Sequence, residues 1–151
     1  MKRMIPLLLA FALLTACGGK DSEKTVDPQE VVDTYLDSQA YTDHLEALDS
    51  EIALTMLGVD AEDVTDSQVY LSEGATAEEL TVITAKDADA AQRVSDALTQ
   101  HVADQKTAME NYQPGEVDKL DHAVQRTVGN VVILMVAADW EFAAGVDDLI
   151  Q

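Results

Sequence analysis

Cys17 is the only cysteine in the chain, and it follows Leu14-Thr15-Ala16, an aliphatic residue and two small ones. This arrangement resembles the bacterial lipobox. Small residues let an extended chain fit a narrow peptidase site that cuts between Ala16 and Cys17, and the thiol is the nucleophile that accepts a diacylglyceryl group. The segment ahead of it agrees: Lys2 and Arg3 are followed by an apolar run from Ile5 to Leu14, interrupted only by Pro6. That run fits a signal-peptide core and falls short of the ~20 apolar residues a membrane-spanning helix needs. Once acylated, Cys17 cannot be an enzymatic nucleophile, and without a second cysteine no disulfide can form within the chain.

The other residues with chemical potential are oxygen and nitrogen donors. Asp60, Glu62, Asp63 and Asp66 place four carboxylates in seven positions, hard ligands that suit calcium. They lack the mid-loop glycine and terminal glutamate of an EF-hand, and helix capping and solvation account for the same pattern. His44, His101 and His122 have no second histidine or cysteine at metal-ligand spacing. His101 reads as a boundary residue beside the apolar stripe of a helix, and His122 as a residue with a local hydrogen bond at the start of a strand. Asn111 and Tyr112 precede Gln113-Pro114, which places them at a helix terminus with a packed aromatic or, alternatively, at the rim of a binding surface. Neither a Gly-x-Ser-x-Gly elbow nor a phosphate-binding glycine loop occurs, so the sequence assigns no catalytic residue, no cofactor and no metal centre.

The elements that must position these groups follow from periodicity. Asp27-Pro28 is a helix start, with Asp as the cap and Pro at the first position, and Val31, Val32, Tyr35 and Leu36 follow at helical spacing. A second helical pattern covers Asp43 to Leu57 through Leu45, Leu48, Ile52, Met56 and Leu57, ending at Gly58. Asp60 to Asp63 reads as a turn. Gln68–Ser72 and Leu80–Ala85 read as strands. Ala91, Val94, Leu98, Val102, Gln105, Met109 and Tyr112 recur at three- and four-residue steps and predict one long helix over Ala88–Tyr112, stopped by Pro114-Gly115. A third strand is expected within Leu120–Val128, a two-residue turn at Gly129-Asn130, and a wholly apolar fourth strand over Val131–Ala137, covered on both faces. Asp139 caps a final helix from Trp140 to Leu149. Strands in neighbouring pairs predict a single α+β domain: a four-stranded antiparallel or mixed sheet, one long helix and shorter flanking helices.

Three segments result: a signal peptide over residues 1–16, a lipidated cysteine and flexible tether over 17–27, and the domain over 28–151. The 29 acidic and 9 basic residues give a net charge of −20, and losing Lys2 and Arg3 with the leader makes it more negative. Such a surface disfavours nucleic acid and anionic headgroups as partners and favours cations or cationic partners. The 47% hydrophobic content suffices for a folded core.

Several stretches in order resemble one family: Leu57-Gly58-Val59-Asp60 with Glu62-Asp63-Val64 leading to Val69-Tyr70; Glu79-Leu80-Thr81-Val82 leading to Ala85-Lys86-Asp87; Gln105 through Glu110-Asn111-Tyr112-Gln113-Pro114; and Gly129-Asn130-Val131. Over most of residues 42–148 the chain is similar to the small bacterial lipoproteins of the DUF4358 family, a domain of unknown function. The resemblance implies a lipoprotein leader and carries no catalytic residue with it.

The expectation is therefore an exported, lipid-anchored protein on the extracytoplasmic face of a bacterial membrane. It is held there by lipid on Cys17 and serves as a non-enzymatic binding or interaction module for an unknown envelope protein or ligand. The alternatives are an enzyme or accessory factor acting on an envelope substrate, and an acidic cation-binding lipoprotein.

Overall fold

The wholly apolar segment Val131–Val136 becomes an inner strand, β5, with all six residues buried. Its side chains alternate between two cores: Val131, Ile133 and Met135 face one, while Val132, Leu134 and Val136 face the other. Both faces of the sheet must therefore be covered, which is why no polar residue interrupts the strand. The computed structural model describes residues 23–151; the expected leader, its cleavage site at Ala16 and Cys17, and the first part of the tether lie outside them.

Helix α1 (Pro28–Tyr35) begins where the Asp27 side chain accepts from the Gln29 N–H. Strand β1 (Leu45–Ala47) and helix α2 (Ser50–Leu57) follow, then a single 3-10 turn, Ala61–Asp63. Strands β2 (Val64–Ser72) and β3 (Glu79–Ala85) lead to helix α3 (Ala88–Tyr112), whose 25 residues span about 37 Å at 1.5 Å per residue. A 3-10 turn at Pro114–Glu116, helix α4 (Val117–Asp121), strands β4 (Val124–Val128) and β5, helix α5 (Trp140–Ala144) and a 3-10 turn over Gly145–Leu149 complete the chain. The strands form one open antiparallel sheet in the order β1-β2-β3-β5-β4. Val31, Val32 and Tyr35 of α1 and Ala143 of α5 pack on one face; Leu54 and Leu57 of α2, Leu98 of α3 and Leu120 of α4 pack on the other. The result is a single α+β domain with helices on both sides of the sheet.

The sheet has five strands, not the expected four. The fifth is β1, within the segment read as the start of a helix. The leucines at 45 and 48 have helical spacing, but Leu45 turns inward while Glu46 and Ala47 lie exposed, and the Leu48 N–H bonds to the Val69 carbonyl. The helix starts only at Ser50, where the Asp49 carboxylate accepts from the N–H groups of Glu51 and Ile52. A local cap thus competes with, and ends, a pattern that extended further N-terminally. Strand β4 is likewise shorter than Leu120–Val128, because Leu120 belongs to α4. The last helix gives way to 3-10 geometry after Ala144. Thr25 exchanges both backbone hydrogen bonds with Gln151, and Val26 is buried, so these two residues belong to the folded unit ahead of the expected Pro28.

The Gly129-Asn130 hairpin matches its expectation. Val128 pairs with Val131, and Gly129 has φ +58°, which a residue with a Cβ adopts only under strain. The described N-terminal residues lie beside this turn: the Lys24 carbonyl is 3.8 Å from where a Cβ on Gly129 would stand. The domain thus has two ends. One holds the β4–β5 turn and the start of α3, and the other holds the loop before β3 and the end of α3.

Candidate functional site

In β3, alternation sends Glu79, Thr81, Ile83 and Ala85 toward α3. Ile83 and Ala85 join the apolar core there; Glu79 and Thr81 are buried polar residues on the same face. Helix α3 follows β3 after a two-residue link and runs back along it, which sets His101, three turns and more from its start, above the beginning of the strand. His101 Nε2 lies 2.9 Å from Glu79 Oε2, and Thr81 Oγ1 donates to Glu79 Oε1 at 2.5 Å. The side chains of His101 and Glu79 are 6% and 3% exposed. The expected boundary histidine is instead buried and paired, because the strand beneath it supplies a carboxylate where an aliphatic residue would ordinarily stand. Both Glu79 oxygens are thereby occupied. A buried carboxylate left without donors would be strongly unfavourable.

The ring's other nitrogen, Nδ1, makes no hydrogen bond to a described residue. No side-chain nitrogen or oxygen among them is both sealed from solvent and unpaired. His101 lines a groove of about 450 Å³ between the end of α2 and the middle of α3. Met56 and Leu57 form one wall, and Gln100, Asp104 and Gln105 the other. The eight residues of α2 turn Ala53, Leu54 and Leu57 to the core. Ile52 and Met56, one turn apart, fall off that face and are 59% and 42% exposed. They belonged to the expected apolar stripe; the late start of the helix at Ser50 and its docking through Ala53, Leu54 and Leu57 leave both in solvent, and Met56 lines the groove.

The acidic turn is not assembled as a cation cage. Asp63 accepts two hydrogen bonds from Arg93, at 2.7 and 2.6 Å, and lies 3.0 Å from the Lys86 ammonium. The Arg93 hydrogen bonds first, then those of Lys86, hold its carboxyl well below the usual carboxylate range, against the opposing effect of burial. Asp60 caps the 3-10 turn by accepting from the Glu62 N–H. Among the described residues no three histidine, cysteine or acidic side chains stand together as metal ligands. Asn111 and Tyr112 sit at the far end of α3, where Tyr112 is 71% exposed; the expected packed aromatic is instead a solvent-facing ring. His122 caps α4, bonds through Nδ1 to the Asp118 carbonyl at 2.8 Å, and stacks on Trp140 with ring centroids 4.1 Å apart. Its local hydrogen bond agrees with the expectation.

A second polar cluster escaped the sequence reading. The wholly buried Glu78 carboxylate accepts from the Thr42 hydroxyl, the N–H groups of Thr42 and Asp43, and the Lys119 ammonium at 2.9 Å. Lys119 also meets Glu116 at 3.0 Å, and Glu116 accepts from the Ala77 N–H. Burial opposes the Glu78 charge, but the hydrogen bonds from Thr42, Lys119 and Asp43 outweigh it and lower the pKa. The cluster fixes the loop before β3 and hence the position of Glu79. Glu78-Glu79 directly before an apolar strand was the available signal, since two acids there must be either solvated or paired.

A family model described as "Domain of unknown function (DUF4358)" matches residues 37–137. No curated protein and no solved structure matches the chain.

Proposed function

The chain belongs to the DUF4358 family, whose molecular function is unassigned, and on that premise we propose that it is a lipid-anchored, non-enzymatic binding module on the extracytoplasmic face of a bacterial membrane. Its contact surface is the groove between α2 and α3. The single observation that carries the binding role is Met56, left 42% exposed on the wall of a groove that the buried His101 also lines. Exposed apolar side chains beside a concave surface with a few oriented polar atoms are what recognition sites provide. The lipobox-like Leu14-Thr15-Ala16-Cys17 and the cationic, apolar leader support the anchor. Two acyl chains hold a protein to a bilayer stably where one is marginal. No described helix is long and apolar enough to cross a membrane, so lipid on Cys17 would supply the attachment.

The enzymatic alternative rests on one specific feature, the His101–Glu79 pair, since a carboxylate-oriented imidazole is the usual form of a general base. Among the described residues no hydroxyl or thiol meets its free nitrogen, so a nucleophile would have to come from substrate or water. The cation-binding alternative relies on Asp63, whose charge Arg93 and Lys86 already neutralise.

Two measurements test the reading. Intact mass of the membrane-extracted protein should give a mature chain beginning at Cys17 with acyl mass, lost in Cys17→Ser; an unacylated chain in the medium would overturn the anchor. A photo-crosslinking residue in place of Met56 should trap a partner in cells. The same residue in place of Asp33, exposed on the opposite layer, should not; equal labelling at both positions would remove the groove as the contact surface.

A further inference from the structure

The tether enters the domain at one end. Thr25 exchanges both backbone hydrogen bonds with Gln151, and Val26 behind it is buried, so the chain is fixed to the fold from this point on. Glu23, Lys24 and Thr25 share a depression with Asp87 and Ala88 at the start of α3 and with the Gly129-Asn130 turn. Helix α3 therefore leaves from beside the tether, and its 25 residues carry Asn111 and Tyr112 about 37 Å along its axis. Cys17 precedes Thr25 by eight residues. Whatever conformation that stretch adopts, covalent geometry limits its span to about 29 Å. A domain standing on its Tyr112 end would lift the start of α3, and Thr25 beside it, above that limit.

A domain lying flat would press exposed acids on the bilayer from either layer: Glu30, Asp33 and Asp37 around α1, or Asp89, Asp96 and Asp104 along α3. Anionic lipid repels both faces. At the tether end, Lys24 stands exposed and Arg126 neutralises Asp147. Resting on the reading of Cys17 as the lipid anchor, we infer that the domain stands on the membrane by its tether end, with α3 directed away from the bilayer. Asn111 and Tyr112 then form the outermost tip. The groove, whose His101 lies thirteen residues along α3, opens to the side about 20 Å beyond the tether end. Its partner must therefore bring a part that extends out of the bilayer; a segment confined to the lipid core does not reach it.

The test uses the full lipidated chain bound to vesicles of phosphatidylcholine and phosphatidylglycerol with a trace of rhodamine-headgroup lipid. The Cys17 thiol is consumed by its lipid, so Asp89→Cys and Tyr112→Cys, both at exposed positions of α3, each carry the only free thiol for a donor dye. The two labels lie about 34 Å apart on one helix. Energy transfer to the bilayer should be severalfold stronger from position 89 than from position 112. A Gly-Ser spacer of about 20 residues inserted after Gly19, which lets the tether outreach the domain, should weaken transfer from position 89 and narrow the difference. Equal transfer from the two positions, or stronger transfer from 112, overturns the upright stance while leaving the anchor in place. A difference that the spacer does not change overturns the tether as its cause. A chain that neither binds the vesicles nor transfers energy beyond the level of its Cys17→Ser variant overturns the anchor, and the stance with it.

Discussion

Glu78 and Lys119, 41 residues apart in the chain, meet at 2.9 Å with the carboxylate fully enclosed. The contact joins the entrance of β3 to α4, and Thr42 and Asp43 complete the shell around the same carboxylate. Its removal should therefore be felt across three segments. Glu78→Ala is expected to lower stability by roughly 3–5 kcal/mol, the usual cost of breaking a buried pair from one side. Lys119→Met, which leaves Glu78 its Thr42 and Asp43 donors, should cost less. Urea unfolding curves of both variants check the order; equal, small losses would mean that the loop before β3 is held by other contacts.

The His101–Glu79 pair invites a double-mutant cycle. Leu98, one turn earlier on α3, is fully buried, so the helix stays docked when the polar pair is altered. His101→Gln and Glu79→Gln should each destabilise, and the double variant should recover part of the loss, with a coupling of about 1–3 kcal/mol for two buried, hydrogen-bonded side chains. Strict additivity would show that the pair contributes only volume.

Stability should fall at both ends of the pH scale. Hydrogen bonds from Arg93 and Lys86 lower Asp63, and those around Glu78 lower it against the penalty of burial. A carboxylate lowered in the folded state stabilises fully above its unfolded value and loses that contribution as pH falls through the folded value. At the other end, burial first, then the charges of Glu79 and Glu78, raises Tyr41. That group's contribution is complete below the unfolded tyrosine value and is lost as pH rises beyond it. Melting temperatures from pH 2 to 11 should trace a plateau with two falling flanks. Asp63→Asn should lower the plateau and soften the acid flank, and an unchanged acid flank would contradict the assignment.

Calcium binding should be absent at the acidic turn. With Asp63 held by Arg93 and Lys86, titration with millimolar calcium is expected to give no saturable heat. A saturable isotherm abolished by Asp66→Asn would restore the site.

Gly58 ends α2 with φ +68°, and a Cβ placed there meets nothing within 4 Å. Gly58→Ala isolates the left-handed cap from any steric clash, with an expected loss of about 1 kcal/mol.

The elements that were legible have long or saturated patterns. The 25-residue stripe of α3, the uninterrupted Val131–Val136 strand and the Gly129-Asn130 turn are each specified within the segment itself. Family membership was legible for a similar reason: short stretches of ordinary residues became informative through their order along the chain, and the family match over residues 37–137 agrees. The three residues of β1 were not legible. They are too few to set a period, and Leu45 becomes a strand residue only because β2 offers an edge to pair with. Ile52 and Met56 misled for a related reason, since amphipathicity indicates that a helix has an apolar side but not how much of that side its neighbours will cover.

The sequence alone determined the residue types and local periods: a solitary cysteine in a lipobox-like context, helices and strands from their spacing, and a strongly acidic surface. The tertiary structure decided which of the 29 acids serve as partners and which stay solvated. His101 reaches Glu79, 22 positions away, only because α3 folds back along β3, and Asp63 becomes an ion-pair acceptor only because Arg93 on α3 and Lys86 just ahead of it both reach the same turn. A carboxylate's role depends on what the fold brings within about 3 Å of it, and distance in space is not a property that spacing along the chain encodes.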